Sequence, residues 1–197
     1  MKKLDKKVIV ITGAGMGLGL ATAIEAAKNG ALLSLVDYND KALAEAKASI
    51  LNDFPEAEVL TITADVSDEQ AVKNYVTETM KAYSRIDGFY NNAGIEGKQA
   101  SLTDYDLEIF KKVIDINLMG VYYGMRYIIP VMQKQQYGRI VNAASVGGIR
   151  GVLNQTPYVA SKHAVSGMTK NAALEYGKDG VLTNAIAPGA NFNAYGS

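Results

Sequence analysis

Tyr158 and Lys162, four positions apart in a chain of 197 residues, are the pair best suited to moving a proton. On a helix, four residues turn the chain by about 400°, which places both on one face. An ammonium beside a phenol favours the phenolate. Such a phenol can exchange a proton with an oxygen while a hydride moves to or from the adjoining carbon. The alternative is an ordinary exposed helix pair. With 12 Tyr and a Lys-rich composition, about one Tyr-x-x-x-Lys is expected by chance, so its position must carry the argument.

A second chemical signal stands near the start. The apolar run Val8–Ile11 leads directly into Thr12-Gly13-Ala14-Gly15-Met16-Gly17-Leu18-Gly19. Gly13, Gly17 and Gly19 have the spacing of a dinucleotide fingerprint, with Gly15 extra. A strand-to-helix turn of this kind needs positive φ or a missing side chain, so that its backbone N–H groups, those of Met16 and Leu18 included, approach a pyrophosphate. A merely flexible turn is the alternative. Asp37 closes the next apolar run, where an acidic side chain can accept hydrogen bonds from ribose hydroxyls and would repel a 2′-phosphate. That selects NAD rather than its phosphorylated form. Asp37 could instead be a turn or helix-start residue beside Asn39 and Asp40. Asp65-Val66 ends the third run, where an Asp could reach the adenine amino group or could only begin the next helix.

Short apolar runs hold these residues in place. Val8–Ile11, Leu32–Val36, Val59–Thr63, Ile86–Tyr90, Ile140–Ala143 and Leu182–Ala187 have little polar alternation, as in parallel strands covered on both faces. The segments between them have helical period: Leu18–Asn29 with Gly30 as a left-handed stop, Lys41–Leu51, and a segment opened by a capping box from Ser67 to Gln70. A long helix is expected from Thr103, and another from Tyr158 to Tyr176, stopped at Gly177. The alternation predicts a Rossmann-type doubly wound α/β fold over residues 1–197, a single domain with its binding edge at the strand C-termini.

Composition removes other classes. Twenty basic residues balance twenty acidic ones, which removes the broad electrostatic case for nucleic acid or an anionic membrane surface. There is no Cys and only one His, His163. Thiol catalysis, thiolate metal sites and multi-histidine metal sites are therefore excluded. The Lys-rich start, Met1 to Lys7, precedes an apolar run too short for a signal peptide or a membrane helix, so a soluble cytoplasmic protein is expected.

The order of the remaining motifs resembles the short-chain dehydrogenase/reductase family from Lys7 to Gly189. Asn91-Asn92-Ala93-Gly94 follows the fourth strand, Asn117 lies in the long helix, Ser145 follows the fifth strand, Tyr158-Val159-Ala160-Ser161-Lys162 opens the next helix, and Pro188-Gly189 follows the sixth. Tyr158 stands 13 residues after Ser145. The resemblance implies that Tyr158 is the acid/base, that Lys162 also binds the nicotinamide ribose, that Ser145 hydrogen-bonds the substrate oxygen, and that Asn117 holds a water connecting Lys162 to solvent. Asn92, Ala93, Gly94, Pro188 and Gly189 would line the cofactor. Ser145 could instead cap a turn before Gly147-Gly148. Asn117 sits in the apolar stretch Val113–Val121, where an unpartnered amide would cost about 1–3 kcal/mol, so it suggests an organised polar network. His163 reads as structural, and Tyr122, Tyr123 and Tyr127 as packing or subunit contacts.

The substrate wall should come from strand-end loops, with Glu96, Gln99, Ile149 and Gln155 as candidates. The strings around them resemble short-chain enzymes of cyclic diketones, which points to a small-molecule ketone/alcohol pair, secondary and cyclic. Reduction of a carrier-bound 3-oxoacyl group is the alternative, disfavoured by Asp37 and the zero net charge. A non-catalytic dinucleotide-binding regulator is another, disfavoured by the intact Ser145, Tyr158 and Lys162. Family members continue for several tens of residues past the Pro-Gly, whereas here the Pro-Gly-x-Ile-x-Thr pattern reads Pro188-Gly189-Ala190-Asn191-Phe192-Asn193. The expectation is a longer biological protein that forms a homo-oligomer, a tetramer by family resemblance.

Overall fold

The apolar runs become strands of one sheet. A computed structural model describes residues 2–189. Its elements alternate as β1 Val8–Thr12, α1 Gly17–Lys28, β2 Leu32–Asp37, α2 Asp40–Asp53, β3 Val59–Thr63, α3 Glu69–Tyr83, β4 Gly88–Asn91, α4 Leu107–Ile114, α5 Gly120–Gln135, β5 Gly138–Ala143, α6 Thr156–Tyr176 and β6 Val181–Ile186. All neighbouring strands are parallel, in the order β3-β2-β1-β4-β5-β6. The chain starts in the middle, winds outward to β3, and returns to β4 on the other side of β1. That reversal makes the C-terminal ends of β1 and β4 the switch point, where doubly wound sheets bind ligands.

Both sheet faces are apolar, which is why the strands show so little alternation. Val10, Val36, Phe89, Ile140 and Val181 share a core with Val76 of α3, Ile128 of α5 and Val165 of α6. Ile11, Leu33, Leu35 and Ala143 pack with Ala23 and Ala26 of α1 and Leu43 and Ile50 of α2 on the opposite face. The expectation of coverage on both faces fails at the sheet edges. In β3 only Val59 is buried, and in β6 only Val181 and Thr183 are. An edge strand has a neighbour on one side only.

Several boundaries differ from the sequence reading, each for a local reason. The helix expected from Thr103 begins at Leu107, because the Asp106 carboxylate accepts the Ile109 N–H and caps it there. It is also interrupted: a π-helical turn over Asp115–Met119 separates α4 from α5. The cap of α3 is Asp68, which accepts from Gln70 and Ala71, while Ser67 turns its hydroxyl to Asp65. Helix α6 starts at Thr156 with Pro157 in its first turn. It ends at Tyr176, as read, with Gly177 as its right-handed C-cap; a 3₁₀ turn over Gly177–Asp179 follows, and the left-handed residue is Gly180, at φ +79°. The Ala190–Ser197 tail, where the family pattern breaks off, lies outside the described residues.

Opposite the binding edge, one buried carboxylate fastens the two central strands. Asp87, 2% exposed, accepts the Val8 N–H at 3.0 Å, a two-pronged contact from Arg85 at 2.6 and 2.8 Å, and Lys7 at 3.4 Å. Burial pushes its carboxyl up, but Arg85, the Val8 N–H and Lys7 more than offset this and hold it below the usual carboxylate range. The clamp is therefore fully formed above that range and lost as pH falls through the lowered value. Asp87→Ala should cost about 2–4 kcal/mol at neutral pH, since it orphans a buried N–H and an arginine. Urea titrations of parent and variant at pH 7 and pH 3 should show the difference shrinking at the lower pH.

Candidate active site

The glycine loop is stitched to the β4 loop across the switch point. The Thr12 hydroxyl, fully buried, accepts both the Asn92 N–H at 3.0 Å and the Ala93 N–H at 3.1 Å. The Asn92 amide returns the contact, donating to the Thr12 and Gly13 carbonyls at 3.0 and 3.2 Å. Gly17 has φ +55°, which favours glycine, and the space beside it is open. A side chain at Gly19 would run into the Gly13 carbonyl, so the first turn of α1 can pass this close only with glycine there. Helix α1 has no side-chain cap and no acidic residue in its first turn. Its leading N–H groups and positive dipole end thus face the crevice unneutralised, the arrangement that receives a pyrophosphate.

Asp37 holds the loop from the β2 side. It is 8% exposed; its Oδ2 accepts the Gly15 N–H at 2.9 Å and its Oδ1 accepts the Asn39 N–H at 3.1 Å. Two of about four acceptor positions on a carboxylate remain for other donors. Lys41, the nearest basic candidate in sequence, is drawn to Glu45 at 3.9 Å. Asp65 is exposed and occupied locally, accepting from the Ser67 N–H and hydroxyl at 2.9 and 2.7 Å. Val66 is buried, against Gly120 at the start of α5.

Tyr158, Lys162 and Ser145 meet on the far side of the crevice. Lys162 is only 4% exposed, and the Ala143 carbonyl, 2.7 Å away, is its one hydrogen-bond partner among the described residues. Its ammonium lies 5.7 Å from the centre of the Tyr158 ring. Burial lowers the Lys162 ammonium to about 8. Ser145 caps the 3₁₀ turn over Val146–Gly148, its Oγ accepting the Gly147 N–H at 3.1 Å. Its proton is therefore free to be donated. Among the described residues, the one side-chain hydrogen bond to Tyr158 goes to its carbonyl, from Ser161, and its hydroxyl has no partner.

Asn117 is fully buried in the π-helical turn, and the network expected around it is present. Its Oδ1 accepts the Ile95 N–H and its Nδ2 donates to the Ile95 carbonyl, each at 2.8 Å, with a longer contact of 3.3 Å to Ser161 Oγ. Ser161 in turn donates to the Tyr158 carbonyl at 2.7 Å. The Asn117 side chain is thereby committed to the β4 loop. A Cβ at Gly94 would lie 3.1 Å from Asn117 Oδ1 and 3.4 Å from Lys162 Nζ, so the two side chains converge there.

The four wall candidates lie on two loops that the fold joins. Glu96 and Gln99 are exposed, Gln155 is half-buried ahead of α6, and Ile149 is 70% exposed. The Ala100 N–H donates to the Asn154 carbonyl at 3.1 Å, and Asn154 adopts a left-handed φ of +61° to present it. The Pro188 carbonyl accepts the Val146 N–H, which brings the exit of β6 to the Ser145 turn; Gly189 beside it is exposed. Among the described residues, the one hydrogen bond of His163 is from Nδ1 to the Val159 carbonyl. Sequence reasoning missed two residues. Thr12 read only as the opening residue of the glycine loop, just after the strand Val8–Ile11, and its distant backbone partners have no sequence signature. Ser161 stood inside the quoted motif without a role.

Against this geometry, the short chain dehydrogenase model matches residues 7–191. The chain belongs to the short-chain dehydrogenase family. It is 53% identical over 188 residues to levodione reductase of Leifsonia aquatica, covering 95% of this chain and 70% of that protein. The crystal structure of levodione reductase superposes with a TM-score of 0.93, covering 94% of this chain and 72% of the other. A 2,5-dichloro-2,5-cyclohexadiene-1,4-diol dehydrogenase of Sphingobium indicum is 38% identical over 191 residues, covering 96% of this chain and 74% of its own. The structure of NAD⁺-bound xylitol dehydrogenase has a TM-score of 0.93 at 38% identity, covering 95% and 72%. The family resemblance read from the ordered motifs is thus borne out.

The lowered Lys162 value has a consequence for stability. The unfolded lysine holds its proton to a higher pH than the folded one, so between about pH 8 and the ordinary lysine value of 10.5 the unfolded state binds more protons. The burial cost is present below pH 8 and relieved as pH rises through this window. Lys162→Met, which removes the titration, should show a stability difference from the parent that shifts by on the order of 3 kcal/mol across the window. Denaturant titrations at pH 7 and pH 10 would measure it.

Proposed function

We propose that this chain is an NAD(H)-dependent oxidoreductase that interconverts a secondary, ring-borne alcohol and its ketone, with Tyr158 as the acid/base. The observation that carries the reading is the placement of a Tyr158 hydroxyl without a partner among the described residues, the buried Lys162 ammonium and a donor-ready Ser145 hydroxyl across one crevice from the uncapped start of α1. The residues fit a dinucleotide on two counts: the α1 amides lack a side-chain cap, and the buried Lys162 ammonium has donors to spare for a ribose diol.

Gly13, Gly15, Met16, Gly17, Leu18 and Gly19 would cradle the pyrophosphate, and Asp37 the adenosine ribose. Asp65 and Val66 would flank the adenine, with Asn92, Ala93, Gly94, Pro188 and Gly189 along the nicotinamide half. A bound nicotinamide supplies or accepts the hydride. Ser145 donates to the substrate oxygen and holds its carbonyl in place. In the reducing direction the Tyr158 phenol gives its proton to that oxygen as the carbon gains hydride; in the oxidising direction the phenolate takes it back. Lys162, charged below about pH 8, favours the phenolate. Asn117 acts as a positioning residue through Ile95 and Ser161.

A ring-shaped substrate is supported by the names of relatives that act on levodione and on a cyclohexadiene diol. It is also supported by the apolar rim, where Ile149 and Leu153 are 70% and 86% exposed. Glu96, Gln99 and Gln155 would supply the polar contacts. The carrier-protein and non-catalytic alternatives gain no support from relatives named as dehydrogenases and reductases.

The same reading includes self-association, as a tetramer by family resemblance. Helices α5 and α6 enclose a groove of about 740 Å³ lined by Met125, Ile129, Pro130, Met168, Ala172 and Tyr176, which a second copy would cover. Among the described residues, no helix is long and apolar enough to cross a membrane.

NADH consumption over a panel of cyclic and open-chain ketones tests the reaction. Tyr158→Phe should lower kcat by about 10²–10⁴-fold while NADH binding persists; a loss of only a few-fold would remove Tyr158 from the chemistry. The parent should prefer NADH to NADPH, and Asp37→Ala should narrow that preference. Light scattering on eluting protein should give a mass above that of one chain.

A further inference from the structure

Tyr105 is half-buried, and its ring and its hydroxyl serve different parts of the fold. It stands directly before Asp106, the cap of α4, and its ring meets that of Phe110 edge-on, with centres 6.2 Å apart and planes at 86°. Phe110 is the fourth residue of the helix. Packing between the residue before a cap and the fourth helical residue is a hydrophobic staple, which fixes the angle at which the chain enters. The hydroxyl reaches elsewhere. It accepts the Lys98 N–H at 2.9 Å, seven positions back. Gly97, next to Lys98, is shaped to this contact. Its φ is +79°, which favours glycine, and a Cβ there would lie 2.6 Å from the Tyr105 hydroxyl and 2.8 Å from Val113 Cγ2. The chain can approach the hydroxyl and α4 this closely only without a side chain.

The segment held in this way runs beside the Tyr158–Lys162 pair. It starts at Gly94, where a Cβ would lie 3.4 Å from Lys162 Nζ. It ends at Ala100, whose N–H donates to the Asn154 carbonyl at 3.1 Å, four residues ahead of Tyr158. Asn117 fixes the first end through the N–H and the carbonyl of Ile95, each at 2.8 Å. Between these anchors lie residues 96–99, which include the wall candidates Glu96 and Gln99. Among the described residues, the bond to Tyr105 is the one hydrogen bond that this stretch makes.

We propose that Tyr105 is a positioning residue for ketone binding: its hydroxyl holds residues 96–99 as a ready-formed wall before the substrate arrives. This rests on the reaction and the wall residues proposed above. Without the hydroxyl, the segment keeps both ends, and the substrate must order the middle as it binds. A contact that only preorganises a wall changes affinity and leaves the chemical step alone. Ser145, Tyr158 and Lys162 stand on other elements, and Gly94 keeps its own anchor through Ile95.

Tyr105→Phe separates the two roles, since it retains the staple and removes the tie. With cyclohexanone and NADH, KM for the ketone should rise about 3–10-fold, the scale of one hydrogen bond, with kcat within about twofold of the parent. NADH affinity, read by fluorescence titration, and the urea midpoint should stay at parent values. Hydrogen exchange should quicken in a peptide covering Ile95–Ala100 and stay unchanged in α4. Tyr105→Leu, which loses staple and tie together, should show the same rise in KM and a lower urea midpoint. An unchanged KM or unchanged exchange in Tyr105→Phe would overturn the inference. So would a fall in kcat accompanied by a lower midpoint, the mark of an ordinary structural role. Tyr158→Phe is run alongside. If it stays active, or if the parent does not reduce cyclohexanone, the underlying reaction fails and takes this inference with it. If Tyr158→Phe is inactive while Tyr105→Phe matches the parent in KM, only the role of Tyr105 fails.

Discussion

One hydroxyl sits where the two halves of this molecule must agree. Thr12 ends β1 and accepts N–H groups from both Asn92 and Ala93, while Asn92 closes the ring by donating to the Thr12 and Gly13 carbonyls. The sheet registers β1 directly beside β4, but the loops beyond those strands are free of the ladder and have no other obligation to meet. Without this joint, the glycine loop and the Asn92-Ala93-Gly94 loop would each be held from one side only. A side-chain hydroxyl with two acceptor sites is the smallest group that can satisfy both amides in a fully buried position.

The other half of the site depends on a charge kept out of water. Lys162 is held at 4% exposure by the packing of α6 on β5, with the Ala143 carbonyl as its one described partner. That is a poor bargain for stability taken alone, since a buried ammonium with few acceptors is costly. The cost makes sense only where the remaining donors meet an acceptor brought from outside. Asn117 and Ser161 make the opposite choice, because their polar atoms are spent inside the protein. Spent groups fix positions, and unspent groups are left for ligands. On the proposed function, the division between the two separates supporting residues from reacting ones more clearly than residue type does.

Much of this was legible in the sequence. The strand runs, the glycine loop and the spacing of Ser145 to Tyr158 are local patterns, and each appears where it was read. The misses share a cause. In the stretch from Thr103 to Asp106 several side chains can cap a helix, and pattern alone does not say which one succeeds; Asp106 does. Ser67 and Asp68 compete in the same way before α3. The π-helical turn at Asp115–Met119 has no composition of its own. A buried network was inferred for Asn117, but its partner is the main chain of Ile95, 22 positions away, and a backbone group has no identity to read. Asp65 shows the limit from the other side: its described contacts are to Ser67, and the helix it could have begun is capped by Asp68 instead.

The hydrogen bond from Ala100 to Asn154 ties the loop after β4 to the loop before α6, and Asn154 holds a left-handed backbone to make it. Two loops that would otherwise vary independently are thereby one mechanical unit. Substitutions at Gln99 and at Leu153 flank the same tie, so their effects should not add. A library that randomises one loop at a time would miss combinations in which both backbones shift together. Interaction energies between contacting positions run to about 0.5–3 kcal/mol in either sign, large enough to reverse the ranking of single variants. Any redesign of this rim is therefore a search over pairs of loops rather than over sites.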